Sequence, residues 1–161
     1  MAVYAGSFDP VTLGHRSVAE KAAMMFDRVV CLVAIHPSKR PLFEAEERVR
    51  LLSEAMSELP NVTADFTAGF TVDYARSVGA RVLVRGVRDG SDADYETQLA
   101  RLNQDLAPEI VTIFVPADRA LSRVSSSRLR ELAHARQPLE SLCHPAVASA
   151  LRTRCGQLTP V

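Results

Sequence analysis

His15 closes the run Gly6-Ser-Phe-Asp-Pro-Val-Thr-Leu-Gly-His15, which follows directly on the apolar stretch Met1-Ala-Val-Tyr-Ala5. A buried strand aims the backbone at one point, and Gly6 lets the chain turn sharply and a ligand approach closely. The helix expected next offers unpaired amides and the positive end of its dipole to an anion. Thr12-Leu-Gly-His15 then sets an imidazole on the first turn, where it can hydrogen-bond a phosphate and stabilise charge as the phosphorus becomes five-coordinate. Far along the chain, Val124-Ser-Ser-Ser-Arg-Leu-Arg130 opens another helix with three hydroxyls and two cations. A single hydroxyl there would suffice as an N-cap; three in succession exceed that need and suit a polyphosphate. Neither motif reads as a nucleophilic triad, because no Gly-x-Ser-x-Gly elbow occurs.

Further cations stand where strands should end. Lys39, in Pro37-Ser-Lys-Arg-Pro41, is held in a loop stiffened by two prolines and is favoured over Arg40 for a phosphate contact. Arg85 and Arg88 bracket Gly86 and Val87 at the end of an apolar run. Their planar forks suit phosphate, although a salt bridge to Asp89, Asp92 or Asp94 would also account for them. Glu96 is equally well explained by a helix dipole. Three cysteines, Cys31, Cys143 and Cys155, form no CxxC pair and suit a reducing compartment. Cys31 reads as core, and Cys143 beside His144 does not read as a thiolate pair, since adjacent residues point apart.

Positioning these groups requires strands and helices in alternation. Short β-branched runs predict strands over Ala2–Ala5, Val29–Ile35, Val62–Phe66, Arg81–Arg85 and Ile110–Val115. Helical periodicity predicts helices over Gly14–Met25, Glu44–Glu58, Thr71–Val78, Asp92–Leu106, Ser125–Ala135 and Pro145–Arg154. Ser91 with Asp94 approximates a capping box, Pro145 suits a first helical position, and the helix at Glu44 lacks a capping hydroxyl and leans on Glu44, Glu46 and Glu47. The expected fold class is α/β, a doubly wound five-stranded parallel sheet covered on both faces, in one domain over residues 1–161 with 156–161 a flexible tail. In such sheets ligands sit beyond the carboxyl ends of the strands where strand order reverses. Ser7 and His15, the His36–Lys39 segment, Arg85 and Arg88, and Ser125 to Ser127 all fall on that rim.

At 161 residues, 47% hydrophobic, 24% charged and with a formal net charge of zero, the chain can bury a sizeable core and is not built to bind long nucleic acids unaided. No apolar run approaches the ~18 residues of a membrane span. The expectation is a cytoplasmic protein with no nucleic-acid or membrane partner.

The two glycine- and serine-bearing motifs resemble those of nucleotidyltransferases that share Thr/His-x-Gly-His and a later Ser-Ser-Ser/Thr-x-x-Arg. With Pro37-Ser-Lys-Arg-Pro41, Glu46-Glu-Arg48, Val84-Arg-Gly-Val-Arg88 and Asp94-Tyr-Glu96, the chain from Val3 to about Leu151 resembles the bacterial phosphopantetheine adenylyltransferases. The resemblance implies a Rossmann-like nucleotidyltransferase fold and transfer of AMP from ATP to 4′-phosphopantetheine, giving dephospho-coenzyme A and pyrophosphate. It implies catalytic roles for His15, Lys39 and Arg88, and acceptor contacts from Ser7, Lys39, Thr71 and Arg85. Nucleotide contacts fall to Ser7, Phe8, His15, Gly86, Val87, Arg88, Glu96, Leu121, Ser122, Arg123, Val124, Ser125, Ser126 and Ser127. Mg²⁺ would arrive with ATP, with no protein ligand; coenzyme A is a possible feedback ligand, and a homohexamer of two stacked trimers is the implied assembly. Departures from the family pattern are Leu121-Ser-Arg-Val124 in place of a segment with two aromatic residues, Ala93 for phenylalanine, Thr71 for an apolar residue, and extra cations at Arg128 and Arg130. Transfer to nicotinamide mononucleotide or a polyol phosphate, or a nucleotide-binding module without turnover, are the alternatives.

Overall fold

The computed structural model describes residues 1–157 except Pro37, Lys39 and Asp89, and for Ser91 and Gln157 the backbone alone. Strands β1 (Ala2–Gly6), β2 (Val29–Ala34), β3 (Val62–Thr67), β4 (Val82–Val87) and β5 (Val111–Pro116) alternate with helices. These are α1 (Leu13–Met25), α2 (Ala45–Ala55), α3 (Thr71–Ser77), α4 (Gly90–Leu106), α5 (Ser126–His134) and α6 (Pro145–Gln157). Every strand pairing is parallel, in the order β3-β2-β1-β4-β5. Strand order therefore reverses between β1 and β4, and the segments leaving these two strands flank the crevice where such sheets receive ligands.

The two-residue period of the strands sorts the core. Tyr4, Cys31, Val33 and Val84 face Val18 and Ala19 of α1, Leu51 and Leu52 of α2, Leu129 of α5, and Val147 and Leu151 of α6. Val3, Ala5, Val30, Leu32 and Leu83 face the other way, onto Val72 and Ala75 of α3 and onto Ala107 and Ile110. The unbroken apolar run of β2 thus has a covered face on each side. The edge strands are less enclosed than expected: Phe66 of β3 and Val111 and Phe114 of β5 are exposed.

Element ends differ from expectation by up to three residues, for local reasons. Helix α2 has no side-chain cap at Glu44 and carries Glu46 and Glu47 in its first turn, as anticipated, but it stops at Ala55. There the Leu59 N–H returns to the Met56 carbonyl at 2.8 Å in a tight turn ahead of Pro60. Helix α4 begins at Gly90, so Ser91 lies inside it rather than at its N-cap, and the side chain on which the expected Ser91–Asp94 capping box turns lies outside the described residues. The Asp92 carboxylate accepts the Arg88 N–H at 3.1 Å. Helix α6 runs through Gly156 to Gln157, two residues that were expected in the tail; residues 158–161 lie outside the described residues. A single 3₁₀ turn, Arg119–Leu121, which the sequence pattern did not announce, leads from β5 toward α5.

Candidate active site

Thr12 is the N-cap of α1, in an extended conformation, and its Oγ1 accepts the His15 N–H at 3.2 Å. In return, His15 Nδ1 accepts the Thr12 N–H at 3.0 Å. The imidazole therefore fills the place that Glu or Gln takes in a capping box. A backbone amide can only donate, so Nδ1 must present its lone pair and the neutral ring carries its proton on Nε2. The ring packs edge-to-face on Phe8 with centroids 5.0 Å apart, and Phe8 does the same on Tyr4 at 5.2 Å. Burial lowers the His15 pKa to about 4, with Arg88 adding to the fall and Asp92 opposing it. His15 is thus a fixed, uncharged N–H donor at neutral pH.

The loop between β1 and α1 is tied down from three sides. Phe8, fully buried, has a positive φ of 45°, and its ring lies where Gly6 would otherwise carry a Cβ, 3.0 Å from its Cζ atom. Asp9 is buried, and its carboxylate accepts the N–H groups of Leu42 at 2.8 Å and Phe43 at 3.0 Å and one Arg130 Nη1 proton at 3.3 Å. Ser126 Oγ donates to the Pro10 carbonyl at 2.8 Å, stitching the start of α5 to the same loop. On the far side, Arg48 Nη1 donates to the Ser7 carbonyl at 3.0 Å.

The serine run is divided by these bonds. Ser125 Oγ accepts the Arg128 N–H at 3.1 Å as the N-cap of α5, and Ser127 Oγ accepts from Arg130 Nη2 at 3.1 Å. Both are acceptors in these contacts and keep a hydroxyl proton for an anion, whereas the Ser126 proton is directed at Pro10. Leu121 and Val124 close the gap to α1: their carbonyl oxygens lie 3.7 and 3.5 Å from the position a Gly14 Cβ would take. Ser122 Oγ donates to the Arg119 carbonyl at 2.9 Å, and Arg123 is exposed.

Both arginines leaving β4 are engaged by α4. Arg85 donates from Nε and Nη2 to the two Glu96 oxygens at 2.5 and 2.8 Å and from Nη1 to the Ala5 carbonyl at 2.7 Å. Arg88 donates from Nη2 to Asp92 Oδ1 at 3.0 Å. The Asp92 partner is among those expected, but the partner of Arg85 is Glu96, and that buried carboxylate faces an arginine rather than serving only the helix dipole. Gly86 and Val87 complete the end of β4, and a Cβ on Gly86 would stand 3.1 Å from both the Tyr4 hydroxyl and a Val18 methyl. Thr71 opens α3 beyond β3, which the sheet order separates from β1 by β2. Lys39 lies outside the described residues.

A cytidylyltransferase-like family model matches residues 3–132. A phosphopantetheine adenylyltransferase from Desulforudis audaxviator is 45% identical over 97% of this chain and 96% of its own length. Another, from Symbiobacterium thermophilum, is 43% identical over 99% and 98%. The chain belongs to the phosphopantetheine adenylyltransferase family. Its fold is also that of a Plasmodium falciparum nicotinic acid mononucleotide adenylyltransferase, at a TM-score of 0.66 over 94% of each chain with 14% identity.

Within this family member, three side chains of the site were not anticipated as such: Asp9, Arg48 and Arg130 in its role as the partner of Asp9. Arg48 had a legible signal, because it falls with Ala45, Leu51, Leu52 and Ala55 on the buried stripe of α2, where an arginine is out of pattern. Cys143 and His144 do not cooperate. The Cys143 thiol, pushed up to about 11 by burial, lies 3.6 Å from the Leu139 carbonyl, while His144 Nδ1 accepts the Ala146 N–H at the start of α6.

Proposed function

We propose that this chain transfers AMP from ATP to 4′-phosphopantetheine, giving dephospho-coenzyme A and pyrophosphate. The observation that carries this reading is that both phosphate-friendly helix starts, α1 and α5, are fastened to one short loop, with the neutral His15 on the first of them. The acceptor is supported by the names of the full-length relatives from Desulforudis audaxviator and Symbiobacterium thermophilum.

A phosphate monoester has a second pKa near ~6, so at neutral pH the acceptor is already a dianionic nucleophile and needs no general base. Its oxygen attacks the α-phosphorus in line, the bond to the bridging oxygen breaks, and pyrophosphate leaves with the electron pair. His15 Nε2–H donates to a non-bridging α-phosphate oxygen as charge gathers there, and the Ser125 and Ser127 hydroxyls donate to the nucleotide phosphates. Arg88 would exchange Asp92 for a nucleotide phosphate and Arg85 would exchange Glu96 for the acceptor, with Lys39 assigned to the acceptor by the family resemblance. Among the described residues no group of His, Cys, Asp and Glu side chains is arranged to hold a metal ion, so Mg²⁺ is proposed to enter as part of the ATP complex, largely hydrated.

No helix among the described residues is long and apolar enough to cross a membrane, and a cytoplasmic setting without nucleic-acid partners is part of the same proposal. A homohexamer is proposed as well, supported by the exposed Leu102 and Leu106 of α4 and Val111 and Phe114 of β5. Coenzyme A, which contains the product, is the proposed feedback ligand. Pyrophosphate release with ATP, Mg²⁺ and a panel of acceptors tests the central reading. Turnover is expected with 4′-phosphopantetheine far above that with nicotinamide mononucleotide or glycerol phosphate; equal turnover of either alternative refutes the acceptor.

A further inference from the structure

Arg48 is only 4% exposed, on the inward stripe of α2. Arginine is almost never buried to this degree unless it is paired. Three other arginines around the site have a carboxylate: Arg85 has Glu96, Arg88 has Asp92 and Arg130 has Asp9. Arg48 forms no ion pair among the described residues, its Nη1 donates to the neutral Ser7 carbonyl, and its buried Nε has no acceptor. The carboxylate of the adjoining loop, Asp9, is committed to Leu42, Phe43 and Arg130. An uncompensated buried guanidinium is strongly unfavourable for folding, and an apolar side chain would have continued the stripe.

The carbonyl that Arg48 holds has a consequence one bond away. The Ser7–Phe8 peptide is trans, and in a planar trans peptide the C=O and N–H point in opposite directions. Drawing the Ser7 oxygen toward α2 therefore turns the Phe8 N–H away from α2. That amide has no hydrogen-bond acceptor among the described residues, and the left-handed φ of Phe8 is one that a phenylalanine adopts only when its surroundings impose it. A preset amide, with an uncancelled cation behind the same peptide polarising it from its carbonyl side, favours an anion at that amide.

We infer that Arg48 is a positioning residue for the triphosphate of ATP: it presets the Ser7–Phe8 peptide and lends the loop a charge that no carboxylate among the described residues cancels. This rests on the adenylyl-transfer reading. Two variants of the full chain test it. Arg48→Met continues the apolar stripe, and Arg48→Gln removes the charge but keeps a donor for the Ser7 carbonyl. By calorimetry, Arg48→Met should weaken ATP binding by about tenfold or more and Arg48→Gln by less, with 4′-phosphopantetheine affinity changed by less than about threefold. The midpoint of thermal unfolding of Arg48→Met should match or exceed that of the unsubstituted chain, since a buried unpaired charge has gone. A lowered midpoint with ATP affinity unchanged would mark a structural arginine and overturn the inference. ATP affinity within about twofold in Arg48→Met, or in Arg48→Gln if the methionine variant does not fold, also overturns it, as does a loss confined to the acceptor. An unsubstituted chain that binds no ATP overturns the adenylyl-transfer reading itself, a result seen before any substitution is made.

Discussion

The protonation of His15 is the most exposed consequence of the site geometry. Its Nδ1 is occupied by the Thr12 N–H at 3.0 Å, and burial holds its pKa at about 4. At pH 7 only about one molecule in a thousand then carries an imidazolium, against roughly a quarter for an ordinary histidine. An unfolded chain regains an ordinary pKa near ~6.5, so between pH 6.5 and about 4 the unfolded state binds a proton that the native state refuses. Stability contributed by the neutral ring is full above the unfolded value, falls as the pH drops through this window, and stops changing below the folded value. The whole difference amounts to about 3 kcal/mol at ~1.4 kcal/mol per unit. His15→Gln separates this from catalysis, because glutamine at the third helical position keeps a capping box with Thr12. Thermal melts of both proteins between pH 4 and 7 should lie nearest each other at neutrality and separate toward the acid end, where only the unsubstituted chain loses stability on this account, because its native ring resists protonation. Nitrogen-15 spectra of the imidazole should show the Nε2–H tautomer at neutral pH. At pH 7 the kcat of His15→Gln and His15→Ala should fall by about a hundred- to a thousandfold, with ATP affinity within a few-fold, as for the loss of one oxyanion donor. A ring that titrates near its ordinary pKa, a proton on Nδ1, or normal turnover in either variant would refute the reasoning.

Thr12→Ala removes the side-chain half of the cap but leaves the backbone N–H that holds His15, so it should cost about 1 kcal/mol, or a few degrees in Tm, and reduce kcat by less than about tenfold. Light scattering at micromolar concentration should report a mass near six chains of 17.6 kDa, and a clean monomer would refute the proposed hexamer.

Much of this protein is written locally. The run from β1 through Gly6 to Thr12 and His15 is legible because its causes act over a few residues: apolar β-branched content, a turn that excludes bulk at Gly6, and a hydroxyl at an N-cap. The strand–helix alternation follows from the same kind of signal, and with it the rim on which Ser7, His15, Arg85 and Ser125 gather. Tertiary structure alone decided which charge meets which. Asp9 finds amides 33 and 34 residues away and an arginine 121 residues away, and Ser126 finds the Pro10 carbonyl across 116 residues. Arg85 turned to Glu96 across 11 residues, and Arg88 took Asp92, because the packing and rotation of α4 against β4 set which carboxylate stands over which guanidinium. Charged side chains have several chemically equivalent partners in a sequence. Only the relative placement of whole elements, which is fixed by how their apolar faces pack, selects one of them.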